Sequence, residues 1–164
     1  MDKVLILDAN YENLKNPVAE IFDFFAPDLE CKHVLVKPNM LAARRPDEHV
    51  TTHPSLVRAV SQELIRRRAR FVVGDNHSAE GKTLNEEVAK ATGIFDAALG
   101  HFRNISKSAR RVKRFSKIID EIMISSEILD CDYLISLPKF KTHALTIITG
   151  GIKNMYGIVP GSIK

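Results

Sequence analysis

The chain has 164 residues, 45% of them hydrophobic and 27% charged, with a net charge of +4. That length suits one ordinary domain with its own core, no apolar run approaches the roughly 20 residues of a membrane span, and the opening "MDKVLILDAN" lacks the cleavage site of a signal peptide. Cys31 and Cys131 stand far apart and form no CxxC pair, which argues for a reducing cytoplasm and against a zinc or iron–sulfur site in this chain; the mild positive charge favours anionic partners without naming one.

Four apolar runs rich in β-branched residues read as buried strands: "KVLILDA" (3–9), "HVLVKP" (33–38), "RFVVGD" (70–75) and "DYLISL" (132–137). They are continuous rather than alternating, as expected when both faces of a strand are covered. Helical patterns lie between them. In "NPVAEIFDFFA" (16–26), Val18, Ile21, Phe22 and Phe25 share a face, and in "HPSLVRAVSQELIRRR" (53–68) Leu56, Val57, Val60, Leu64 and Ile65 do so. Pro54 suits a first helical turn, and the arginines suit the carbonyl end of the helix dipole. "TLNEEVAKATG" (83–93) is a third helix, and "SSEILDC" (125–131) a short fourth. The stretch 101–124, with its basic run "KSARRVKRFSK" (107–117), reads as a solvated hairpin or a strand–loop–strand at the sheet edge. Nucleic-acid binding by that run is disfavoured, because no stacking platform accompanies it. The alternation of β and α elements predicts a single three-layer α/β domain over residues 1–164, with a mainly parallel sheet and helices on both faces.

In open α/β sheets, ligands sit beyond the carboxyl ends of the strands. Polar clusters occupy that position here: Lys37 and Asn39; Thr51, Thr52 and His53; Asp75, Asn76, His77 and Ser78; and Lys139, Lys141, Thr142 and His143. Each has a plainer reading beside the functional one. Lys37 and Lys139 would equally neutralise a strand-end carboxylate such as Asp75. Thr51 and Thr52 read first as helix caps, while Asp75 reads equally as a site residue or as a turn residue after Gly74. His49, His53, His77 and His143 invite a metal, yet His49 and His53 straddle a helix start and no HExxH-like signature exists, so no metal is expected. In "TIITGGIKNMYGIVPGSIK" (146–164), glycines beside Lys153 and Asn154 tip the reading toward anion binding. The lysines of "LPKFKTHALT" are read as pointing one way, with a helix starting near Thr142.

Taken together, "VLVKPNML", "TTHPSLVRAV", "VVGDNHS" and "LPKFKTHALTIITGGIKNMYGIVPGSIK" resemble the family known as domain of unknown function 362, from about residue 33 onward. Many members of that family carry a ferredoxin-like module with two four-iron clusters, so the resemblance implies redox chemistry. The ferredoxin cysteines are absent here. The family continues past the lysine matching Lys164, so the expectation is a domain shortened at its C-terminus, or half of a site completed elsewhere.

The reading is then a cytoplasmic enzyme or enzyme subunit that binds an anionic small molecule. Lys37, Asn39, Thr51, Thr52, Lys139, Lys141, Thr142, Lys153 and Asn154 are its candidate binding residues; His53, Asp75 and His143 are its candidate acid–base groups. The alternative is a non-catalytic docking module for an iron–sulfur electron-transfer partner. No cofactor is expected in this chain itself; any cluster would belong to a partner. No membrane partner is expected, and a homo-oligomer stays open.

Overall fold

The computed structural model describes residues 3–26, 28–76 and 81–160. At its centre lies a small parallel sheet of three strands: β1 (His33–Pro38), β2 (Arg70–Val73) and β5 (Tyr133–Leu137), in the order β2-β1-β5. The remaining strands form two antiparallel hairpins, β3 (Ala109–Lys113) with β4 (Glu121–Ser125), and β6 (Lys141–His143) with β7 (Ile147–Thr149). The helices are α1 (Lys15–Phe25), α2 (Pro54–Arg66), α3 (Gly81–Ala91), α4 (Ile94–Ala97), α5 (Ser126–Asp130) and α6 (Gly151–Asn154).

Strand β1 is central and takes a ladder on each edge, Val34 opposite Phe71 on one side and Tyr133 on the other. Its side chains alternate between two apolar clusters, as a period of two requires. Val34 and Val36 pack with Val18 and Phe22 of α1, Val57, Val60 and Leu64 of α2, and Ile94 of α4. Leu35 points the other way, to Val72 and Ile105, with Ile128 and Leu134 alongside. A continuous apolar run is therefore right for this strand, because neither of its faces is wet. Strand β5 is an edge strand and only half-buried. Beyond β2, the chain at residues 101–103 adds one parallel bridge, Val73 to Phe102. Gly74 is held close to that segment: a Cβ there would lie 2.6 Å from the Arg103 carbonyl and 2.7 Å from Ile105, so only glycine lets the two backbones approach.

Two expectations are corrected. Residues 3–9 form no strand, and Val4 and Ile6 stand exposed. β-propensity describes fit to a paired, half-buried surface, and the sheet order offers this run no partner. No helix begins near Thr142; Lys141–His143 is instead a strand that turns back through residues 144–146 into β7. The β-branched "TIIT" that follows explains why an extended pair wins there. The helix α4, set off by Gly93 at φ 73°, was not anticipated. His77, Ser78, Gly161 and Lys164 lie outside the described residues.

The basic stretch does form a hairpin, whose arginines stand in solvent. Arg110 pairs with Asp130, and Arg111 lies 3.3 Å from Glu121, with all four side chains largely in solvent. Changing Arg110 or Arg111 to serine is expected to move stability by no more than about 0.5 kcal/mol each in urea denaturation, since exposed ion pairs are screened.

Thr52 joins the ends of two strands. Its hydroxyl donates to the Leu137 carbonyl at 2.5 Å and accepts from the Asn39 amide at 2.8 Å. The helix cap is therefore not Thr52 but His53, whose Nδ1 accepts from the Ser55 amide at 3.2 Å. Thr52→Val should cost about 1–3 kcal/mol in thermal denaturation, because it strands both partners in a largely buried place.

A lysine-lined cavity at the strand ends

The carboxyl ends of β1 and β2, the β6–β7 hairpin and the α6 segment enclose a cavity of about 350 Å³. Its wall includes Lys37, Asn39, Asp75, Lys141, Thr142, His143, Lys153 and Asn154 among the residues singled out from sequence. Thr51, Thr52, His53 and Lys139 are not part of that wall.

Lys37 forms the floor. It follows Leu35 by two positions and is fully buried, with its ammonium 2.6 Å from Asp75 Oδ1. Asn154 Oδ1 accepts from the same ammonium at 3.1 Å, while the Asn154 amide donates to the Lys37 carbonyl and to Ser136 Oγ. The Asp75 carboxylate also accepts the backbone N–H groups of Met40 and Asn76, at 3.0 and 2.9 Å. The plainer sequence reading of Lys37, as the neutraliser of Asp75, is what the contacts describe. Gly157 closes over this pair. A Cβ there would sit 2.2 Å from Asp75 Oδ1 and 2.6 Å from Lys37 Nζ, so any side chain would displace one of the two charges. Gly157 is needed here for close approach to an ion pair. The Asn76 amide donates to the Gly157 carbonyl at 2.8 Å and fixes that approach.

Lys141 and Lys153 carry the remaining positive charge of the wall. Lys141 is half-buried, and its ammonium donates to Asn39 Oδ1 at 2.8 Å and to the Val50 carbonyl. Both acceptors are neutral. Among the described residues no carboxylate pairs with Lys141 or Lys153. Burial, then the charges of Lys153 and Lys139, hold the Lys141 ammonium below the usual lysine range.

His143 lies on the wall with Nδ1 accepting the amides of Leu145 and Thr146 at 3.1 and 3.2 Å. The turn between β6 and β7 thus fixes the ring and leaves Nε2 as its N–H. Thr149 on β7 also faces the cavity. It is buried, and its hydroxyl has no hydrogen-bond partner among the described residues. Asn76, placed with the strand-end polar residues from sequence, is also on the wall; Thr149 and Tyr156 are wall residues beyond that set, and nothing in their local sequence distinguishes them from core or turn positions.

Lys139 and Lys141 diverge. Lys139 sits before β6 rather than in it, and its ammonium reaches Tyr11, 3.3 Å from the phenol oxygen. Tyr11 stacks on His53 with ring centroids 3.9 Å apart. Burial, with Lys139 and His49 nearby, holds the His53 pKa below its ordinary value. Lys139, Tyr11 and His53 thus form a second cluster outside the cavity wall. Thr51 is buried away from the wall. Among the described residues no group of three His, Cys, Asp or Glu side chains could hold a metal ion, and no helix is long and apolar enough to cross a membrane.

Comparison with known proteins agrees with the motifs. A thylakoid-associated protein of Synechocystis sp. is 31% identical over 159 residues, which cover 95% of this chain and 47% of that protein. The chain therefore spans about half the length of this curated relative. No solved structure matches significantly. The sequence profile of the domain of unknown function DUF362 matches residues 34–164, which include every strand of the parallel sheet but the first residue of β1 and the whole cavity wall, and the chain belongs to that family.

Proposed function

We propose that the cavity binds a small anionic molecule, with Lys141 and Lys153 as its charge partners, in a cytoplasmic enzyme or enzyme subunit. One observation carries the reading: a half-buried ammonium, Lys141, is held by two neutral oxygens and crowded by other lysines. Burying a cation without a counter-charge is costly, and an anion in the cavity removes that cost. The volume of about 350 Å³ suits a metabolite-sized ligand. The Thr149 hydroxyl gives such a ligand one more hydrogen-bonding group. His143 offers its Nε2–H to such a ligand as a hydrogen-bond donor; to act as the acid–base group read from the sequence it would have to give up the Nδ1 contacts to the turn. Asp75 and His53 already serve Lys37 and the start of α2.

We also infer a three-layer arrangement for the domain, supported by the two buried sides of β1, one against α1 and α2 and the other against α5. Carried over to this chain, the thylakoid association named for the relative makes a membrane face the location competing with the cytoplasm; cell fractionation decides between them.

The test is calorimetric titration with phosphate, bicarbonate, oxalate and citrate. Saturable binding of at least one anion, weakened about tenfold or more in Lys141→Gln, supports the reading. Equal heats for the two proteins, or none for either, reject it.

A second reading, docking of an iron–sulfur electron-transfer partner, is favoured by the exposed apolar side chains beside the cavity, Leu145, Ile147 and Ile152 among them. Saturable complex formation with a ferredoxin, followed by sedimentation, supports it, and the absence of any complex rejects it.

A further inference from the structure

We propose that the β6–β7 hairpin and α6 form a docking face for a partner polypeptide whose surface combines apolar side chains with carboxylates. The inference rests on the docking reading and is independent of the anion reading.

Large apolar side chains crowd this short stretch and stand in solvent: Phe140 is 75% exposed, Leu145 87%, Ile147 80% and Ile152 95%. Isolated exposed leucines are ordinary, but a cluster on consecutive elements marks an interaction site. The hairpin is itself a sheet of only two strands, with no third strand beside it among the described residues. Such a pair is marginal alone and offers backbone donors and acceptors to an added strand.

Charge selects the occupant. From Tyr133 to the end of the sequence there is no Asp or Glu, while Lys139, Lys141 and Lys153 fall within the stretch. A second copy placed across a twofold axis would bring this face against itself, since such an interface uses the same patch on both subunits. Lysine would then meet lysine, with no carboxylate on either side. A partner bearing carboxylates meets the face with opposite charge. An anionic lipid surface fits less well. Lipid recognition draws on clusters of exposed basic side chains, whereas these lysines are half-buried and two are already directed, Lys139 to Tyr11 and Lys141 to Asn39. Directed, half-buried donors and open strand edges are met by a polypeptide, not by a fluid headgroup layer.

The test is selection of a random dodecapeptide display library on the full chain. Enriched peptides are expected to combine Leu, Ile or Phe with Asp or Glu. They should bind the double variant Ile147→Ser, Ile152→Ser about tenfold more weakly or worse. Both positions are exposed, so that variant should keep the wild-type unfolding midpoint. Lys139→Glu, outside the cavity wall, should shift selection away from acidic peptides. No enrichment, enrichment without acidic residues, or binding insensitive to these changes overturns the proposal. So does binding to phosphatidylglycerol vesicles, or a concentration-dependent dimer, that the double variant abolishes: the first assigns the face to lipid, the second to another copy. Acidic peptide binding in the absence of any ferredoxin complex would leave the face standing and remove only its electron-transfer partner.

Discussion

Replacing Asp75 with alanine is expected to destabilise the domain by about 3–5 kcal/mol in urea denaturation, the usual range when one member of a buried ion pair is removed. The Lys37 side chain is fully buried, so its ammonium would have no water to turn to. Asn154 Oδ1 and the Pro38 carbonyl remain as neutral acceptors, at 3.1 and 3.3 Å, and neither balances a charge. Two backbone amides, of Met40 and Asn76, would lose their acceptor as well. Lys37→Met should be nearly as damaging, because it leaves the carboxylate under Gly157. The double variant Lys37→Met, Asp75→Leu should recover part of the loss, though not the two amides. A cost below about 1 kcal/mol for Asp75→Ala would mean that Lys37 finds solvent or another anion, and that the floor of the cavity is open.

The Lys141→Gln variant is expected to separate binding from folding. Anion affinity should fall about tenfold or more, because a charge-assisted hydrogen bond and a counter-charge disappear together. Folding of the empty protein should change little. The sign follows from the direction of the shift. Lys141 has a folded pKa below its unfolded value, so its charged form is disfavoured by the fold. That penalty is fully present below the folded pKa. It is relieved as pH rises through the folded pKa toward the unfolded one, so the empty wild-type protein gains stability from this group in that window. The variant lacks this rise. Anion binding runs oppositely: it requires the ammonium and weakens as pH rises through the folded pKa.

Much of this was legible in the sequence where one local pattern decided the outcome. The strands 33–38, 70–75 and 132–137 were read from continuous β-branched runs, and each contributes a strand to the parallel sheet. The helix faces were nearly right: Val57, Val60 and Leu64 are buried, while Ile65, assigned to the same face, is about half exposed. What failed needed tertiary information. An apolar run at 3–9 has strand composition, but a strand also needs a neighbour. Spacing of two places Lys139 and Lys141 on one side only within a regular strand, and β6 begins at Lys141. Lys37 and Asp75 meet across parallel strands 38 positions apart in sequence, and only the register of β1 with β2 brings their ends together. Thr52 and His53 are adjacent, and both types cap helices or bridge strands; the choice between them is made by the Leu137 carbonyl, 85 positions away.

The most direct test of an anion-binding cavity is the titration of Lys141 itself. Lysine Cε resonances, assigned by comparison with Lys141→Arg, should show Lys141 titrating below the ordinary lysine value of about 10.4 in the empty protein. Saturation with whichever of phosphate, bicarbonate, oxalate or citrate binds should raise that pKa, since an anion favours the charged form. A bound anion that leaves the Lys141 titration unmoved would contradict the account and place the ligand elsewhere.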